Sequence, residues 1–205
     1  MRPFFVALAL IASAVVVTPA AQAQVNFGLR AGLNVSTFAG DDADGSEAKL
    51  GFVGGGYMNY AFSPTLSIQP EVLYSQKGAE ATEEGTTISF RVGYIDVPLL
   101  LKYTIPTGTN LMPSLFAGPQ VGFKLSESVS GGGISVDTDF FKSTDFGVTF
   151  GGDIGARLAG RTQQFGVGLR YTLGLTSIAD VDGEVLDQQA DLKNNVFAVT
   201  AYFTF

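Results

Sequence analysis

The chain has 205 residues, a one-domain length, with 15% charged residues and a net charge of −7. It contains no cysteine and no histidine, which excludes disulfides, thiol nucleophiles and the imidazole general bases that most hydrolytic sites use. The acidic balance also speaks against nucleic acid as a partner, because a phosphate backbone selects basic surfaces.

The N-terminus is the first element. Arg2 gives it a positive start, Phe4 to Val17 is apolar, Pro19 breaks the run, and Ala21-Gln22-Ala23 is an A-x-A cleavage site. The run is shorter than the roughly 20 apolar residues of a spanning helix. Residues 1–23 are therefore expected to be a cleaved signal peptide, and residues 24–205 a single β-barrel domain.

After that the hydropathy alternates with period two, which is the period of a strand with one apolar face. The first strand is placed at about 25–38, with Phe27, Leu29, Ala31, Leu33 and Val35 on one side and Gly28, Arg30, Gly32 and Asn34 on the other. A glycine-rich second follows at 49–62 and a third at 65–77, where Ile68, Pro70 and Val72 alternate with Gln69, Glu71 and Leu73. The fourth, 87–104, changes phase near Gly93, and a bulge at Gly93-Tyr94 is expected to reconcile its halves. The remaining four fall at 111–125, 143–157, 164–176 and 194–205. Eight is an even number, as bacterial single-chain barrels require.

The connections alternate in length. Those at 39–48, 78–86, 126–142 and 177–193 are long, while those at 63–64, 105–110 and 158–163 are short. Outer-membrane barrels have long extracellular loops and short periplasmic turns, so both termini are expected in the periplasm. A soluble up-and-down barrel alternates too, but it shows its polar face to water. Here the polar face is mostly glycine, serine, threonine and asparagine, which suits a crowded interior better than a solvated exterior. Aromatic residues gather near strand ends (Phe27, Phe38, Tyr60, Phe62, Tyr74, Tyr103, Phe123, Tyr202, Phe203 and Phe205), as in the girdles at membrane interfaces. The fold class expected is all-β: an eight-stranded antiparallel up-and-down transmembrane β-barrel.

Particular runs carry a family resemblance: Phe27-Gly28-Leu29-Arg30-Ala31-Gly32-Leu33-Asn34, Pro70-Glu71-Val72-Leu73-Tyr74-Ser75-Gln76-Lys77-Gly78, and Tyr94-Ile95-Asp96-Val97-Pro98-Leu99-Leu100-Leu101-Lys102-Tyr103. Gly118-Pro119 and Arg170-Tyr171 fit as well. With these runs the chain resembles the PorT-like outer-membrane β-barrel proteins of the "porin family". The resemblance covers nearly the whole mature chain and implies an OmpA/OmpX-like barrel in the cell outer membrane. It fixes no activity, and one branch is associated with type IX secretion and gliding.

The inward face is expected to hold a charge network of Arg30, Glu71, Asp96, Lys102, Lys124, Asp153, Arg157 and Arg170. It acts either as a structural plug or as a pore lining. Eight strands leave an interior that side chains just fill, which favours the plug. Most acidic residues fall in the long connections; Asp42-Ala43-Asp44-Gly45 and Asp180-Val181-Asp182-Gly183 lack the spacing of a calcium loop. No metal site, cofactor or catalytic residue is expected; Asp145 and Asp153 read as structural. The functions in view are a closed structural or loop-mediated interaction (adhesion) barrel, a narrow porin-like channel for ions or small solutes, and a secretion-associated barrel. The partners expected are outer-membrane lipid, the barrel-insertion machinery and an unidentified extracellular or periplasmic protein, with the chain a monomer.

Overall fold

Alternation of glycine and small polar residues with large apolar ones leaves each strand one smooth face and one bulky face. In water the bulky face turns inward. Here it turns outward. A computed structural model describes residues 24–39, 47–83, 86–131, 134–137, 143–158, 163–176 and 193–205. In it Phe27, Leu29, Leu33, Val72, Leu115, Ile154, Val167 and Leu169 are all more than half exposed. Among the described residues, 21 polar or charged side chains are buried against 11 apolar ones, Pro98 included. That inversion fits a solvent made of lipid chains, not water.

The strands are β1 (Gln24–Ala39), β2 (Glu47–Ala61), β3 (Leu66–Glu83), β4 (Thr86–Thr104), β5 (Leu111–Gly131), β6 (Ile134–Asp137), β7 (Thr144–Arg157), β8 (Gln164–Gly174) and β9 (Lys193–Thr204). Each of the eight long ones pairs antiparallel with its chain neighbours, β4 with β5 and β5 with β7. The sheet shuts where β1 meets β9, from Gly28 opposite Thr204 to Ala39 opposite Lys193. The result is a closed eight-stranded up-and-down barrel, so no long edge is left unpaired. β6 is a short addition that pairs with the far end of β5.

The three short connections match the expected positions. Ser63 Oγ accepts the backbone N–H of Leu66 at 2.8 Å and closes the β2–β3 turn. In the β4–β5 turn Gly108 has φ +69°, a left-handed conformation that glycine adopts without a Cβ clash. Leu158 N–H donates to Gln163 O at 3.0 Å across the third turn.

The other end differs from expectation in three ways. The connection placed at 78–86 is largely strand: β3 and β4 stay paired to Glu83 opposite Thr86. Similarly, β5 runs on to Gly131 and folds back through β6, inside the loop expected at 126–142. These segments alternate too weakly to be read as strands, yet the long hairpin ladders hold them. Finally, β4 does not change phase. Val92, Tyr94, Asp96, Pro98 and Leu100 all face inward, and Arg91 is exposed. The register does shift by one residue at Gly93/Tyr94, but the extra residue lies on the partner strand. Gly93 opposes Ser126 and Tyr94 opposes Lys124, which leaves Leu125 unopposed. The bulge therefore belongs to β5. Val92 reads as a phase change in the sequence because it is an apolar residue on the lumen side.

The signal-peptide segment 1–23, both Asp-x-Asp-Gly runs and most of the acidic connection residues lie outside the described residues.

Candidate functional site

Inward positions of the barrel wall carry the only dense chemistry among the described residues. Arg30 on β1 sits at the centre, 2% exposed. Its guanidinium donates to both oxygens of Asp153 on β7, Nη1 to Oδ1 at 3.0 Å and Nη2 to Oδ2 at 2.9 Å. Nη1 also donates to Thr200 Oγ1 at 2.8 Å, and Nε lies 3.7 Å from Glu71 Oε1. Glu71 on β3 accepts from Arg170 on β8 at 2.8 and 3.2 Å and from Gln69 Nε2 at 2.7 Å. Lys102 on β4 donates to Asp153 Oδ2 at 2.7 Å. Such fork-to-fork pairs fix orientation as well as charge.

Aromatic rings cap this cluster. The Arg30 guanidinium lies 5.0 Å from the Tyr202 ring centre and 5.8 Å from that of Tyr57, and Lys102 lies 5.3 Å from Tyr202. Tyr57 is held in turn by a 2.7 Å hydrogen bond to Thr204. Arg170 stacks at 5.5 Å over Phe116. Space for these groups comes from small residues. A Cβ at Gly168 would collide with Asp153 Oδ1 and come within 3.0 Å of Arg30 Nη1.

A second cluster lies toward the far end. Lys77 on β3 donates to Asp96 Oδ1 at 2.9 Å and reaches Asp145 Oδ2 at 3.5 Å, with its ammonium 4.5 Å from the Tyr94 ring centre. Asn194 Nδ2 donates to Asp145 at 3.0 Å. A third pair, Lys124 Nζ to Glu127 Oε2 at 3.0 Å, exists because of the β5 bulge. One unopposed residue between them puts two positions of opposite parity on the same face.

Between the first two clusters lies an apolar and hydroxyl layer. Val53, Leu73 and Ala198 pack together, and Thr149 bonds to both Gln120 and Thr172.

Seven of the eight expected charges, all but Arg157, enter these clusters. Arg157 is the last residue of β7; it is exposed and has no ion pair among the described residues. The strand carries it past the packed interior to the mouth, where water solvates it, so it is not part of the network. Two further expectations need correction. Glu127 is not a loop residue but buried and paired, because β5 is longer than expected. Tyr202 is not a girdle residue, since it faces the lumen. Phe27, Phe62, Tyr103, Phe203 and Phe205 are exposed as a girdle requires. The structure adds Lys77 and Asp145 to the network. For Lys77 the signal was available: it continues the inward parity of Gln69, Glu71, Leu73 and Ser75.

A family model described as "outer membrane protein beta-barrel domain" matches residues 20–180. No curated protein sequence matches the chain. Among solved structures, Neisserial surface protein A aligns with a TM-score of 0.55 at 14% identity, covering 88% of this chain and 97% of that one. OprG of Pseudomonas aeruginosa aligns at 0.54 and 15% identity, with 90% and 98% covered. A major outer membrane protein of Thermus thermophilus aligns at 0.51 and 12% identity, with 89% and 100% covered. At these identities the likeness concerns the fold.

Proposed function

Because the chain belongs to the outer membrane protein β-barrel domain family, we propose that it serves the outer membrane as a closed barrel, structural or adhesive through its loops, not as an open pore. One observation carries this reading. Every strand of the wall sends inward a side chain that is at most 5% exposed: Arg30, Val53, Glu71, Leu100, Phe116, Asp153, Arg170 and Thr200. A continuous water path would wet these groups. Eight-stranded barrels in general have interiors that side chains fill, whereas aqueous porins use about 16 strands or more.

The finer parts of the proposal follow from sequence. Residues 1–23 direct export and are removed; the termini and short turns face the periplasm, and the long connections face outward. The run Tyr94 to Tyr103 supports a place on the PorT-like branch. Outer-membrane lipid and the insertion machinery are its partners during assembly, and a protein contact through the outer loops is its working partner. No catalytic role is proposed.

Planar-bilayer recording of the purified protein tests the closed reading. The expected record is silent over a wide range of salt and voltage. Stable unitary steps whose size changes in Lys102→Ala or Arg157→Ala would overturn it in favour of a narrow channel.

A further inference from the structure

The barrel end where the termini and the short turns meet opens into a cavity of about 670 Å³. Sites for small organic ligands span roughly 300–1,000 Å³. The described residues that line it include Lys102 and Arg157 and no aspartate or glutamate. In a chain of net charge −7 this is a local reversal of sign. The cluster behind its floor has the same bias, since Arg30, Lys102 and Arg170 are paired there with only Glu71 and Asp153.

Two lining side chains have no partner among the described residues. Arg157 stands exposed at the mouth without an ion pair among the described residues. Deeper in, Ser114 is 3% exposed, and its Oγ lacks a hydrogen-bond partner. Buried hydroxyls in native proteins are nearly always satisfied by protein or water, so this one is free to donate to a water or a ligand in the cavity. Asn26 and Gln164 add amide groups to the wall.

We propose that this cavity binds a small oxyanion, a phosphate or carboxylate carried on a polar body. Arg157 supplies the planar fork at the entrance, which suits either anion. Ser114 donates from the wall, and Lys102 sets the sign of the floor. The oxyanion comes from a soluble compound or from a lipid headgroup, and the chemistry of recognition is the same for both.

The test uses the full mature chain, refolded in a nonionic detergent at ionic strength held constant with sodium chloride. The probes are glucose 6-phosphate, glucuronate, uncharged glucose and dihexanoyl phosphatidic acid. NMR reads the Arg157 Nε–H and the side-chain amides of Asn26 and Gln164. Saturable shifts with at least one of the two soluble anions are expected, with a Kd about tenfold or more below that for glucose, the equivalent of one charge-assisted contact. Arg157→Gln is expected to raise that Kd about tenfold, and Ser114→Ala by less. Both variants should keep heat-modifiable gel migration, which shows that the barrel remains folded. Response to phosphatidic acid alone, lost in Arg157→Gln, upholds the site and assigns the oxyanion to a headgroup. Equal binding of glucose and its phosphate, binding unchanged in Arg157→Gln, or shifts confined to residues outside the cavity would overturn the proposal.

Discussion

Arg30 shows how one residue commits many others. Its pairing needs Asp153 and Glu71 on two other strands, and Gly168 without a side chain beside them. Removing one partner of a buried pair leaves an uncompensated charge and costs about 3–5 kcal/mol. Arg30→Met is therefore expected to destabilise the barrel by about that amount, read from the urea midpoint of folding into lipid vesicles. Gly168→Ala attacks the same site by volume alone. The carboxylate it would strike is locked in a bidentate pair and has no room to retreat, so a loss of about 1–3 kcal/mol is expected in the same assay. Sequence parity revealed Arg30, Glu71, Asp153 and Arg170 because charge at an inward position of a period-two strand stands out. It could not reveal which carboxylate each cation meets, because the pairs join strands that are far apart in sequence. Nor could it reveal Glu127, whose inward face depends on an unopposed residue two positions earlier.

For strands, the β5 bulge is the feature that parity alone misplaces. The notch was legible near Gly93-Tyr94, but which of the two paired strands carried the extra residue was not. Alternation in one strand says nothing of its partner's length. The assignment to β5 has a consequence for deletions. Removing Leu125 would regularise the ladder and keep both Lys124 and Glu127 inward. Removing Val121, four residues before, would instead flip one side of the strand relative to its neighbours. The first deletion is expected to leave heat-modifiable migration intact, and the second to abolish it. β3, β4 and β5 are longer than their own patterns predict, since a hairpin ladder extends pairing into residues whose alternation is weak.

For the whole molecule, the inverted burial pattern makes the membrane part of the fold. Leu169 lies on the outward face, 54% exposed, midway along β8. An arginine there is expected to cost about 2–4 kcal/mol in vesicle folding, while the same change at the terminal Phe205 costs about 0–1 kcal/mol. Equal penalties at the two positions would contradict the placement of the bilayer. The closed eight-strand plan was legible because period two recurs through all eight strands and the three short connections fall where the pattern breaks, although the β3–β4 connection read as long is mostly paired strand. The closing seam between β1 and β9 has a further meaning in time. Most ion pairs of the lumen join strands that are not neighbours: β1 with β7, β3 with β8, β4 with β7. No single hairpin contains both members of such a pair, so these contacts form only after several strands have assembled and curved. Interactions absent from the transition state slow unfolding without hastening folding. The pairs that cross the lumen are therefore expected to act as a latch set late, and Arg30→Met should register chiefly as faster escape from the folded state in stopped-flow unfolding.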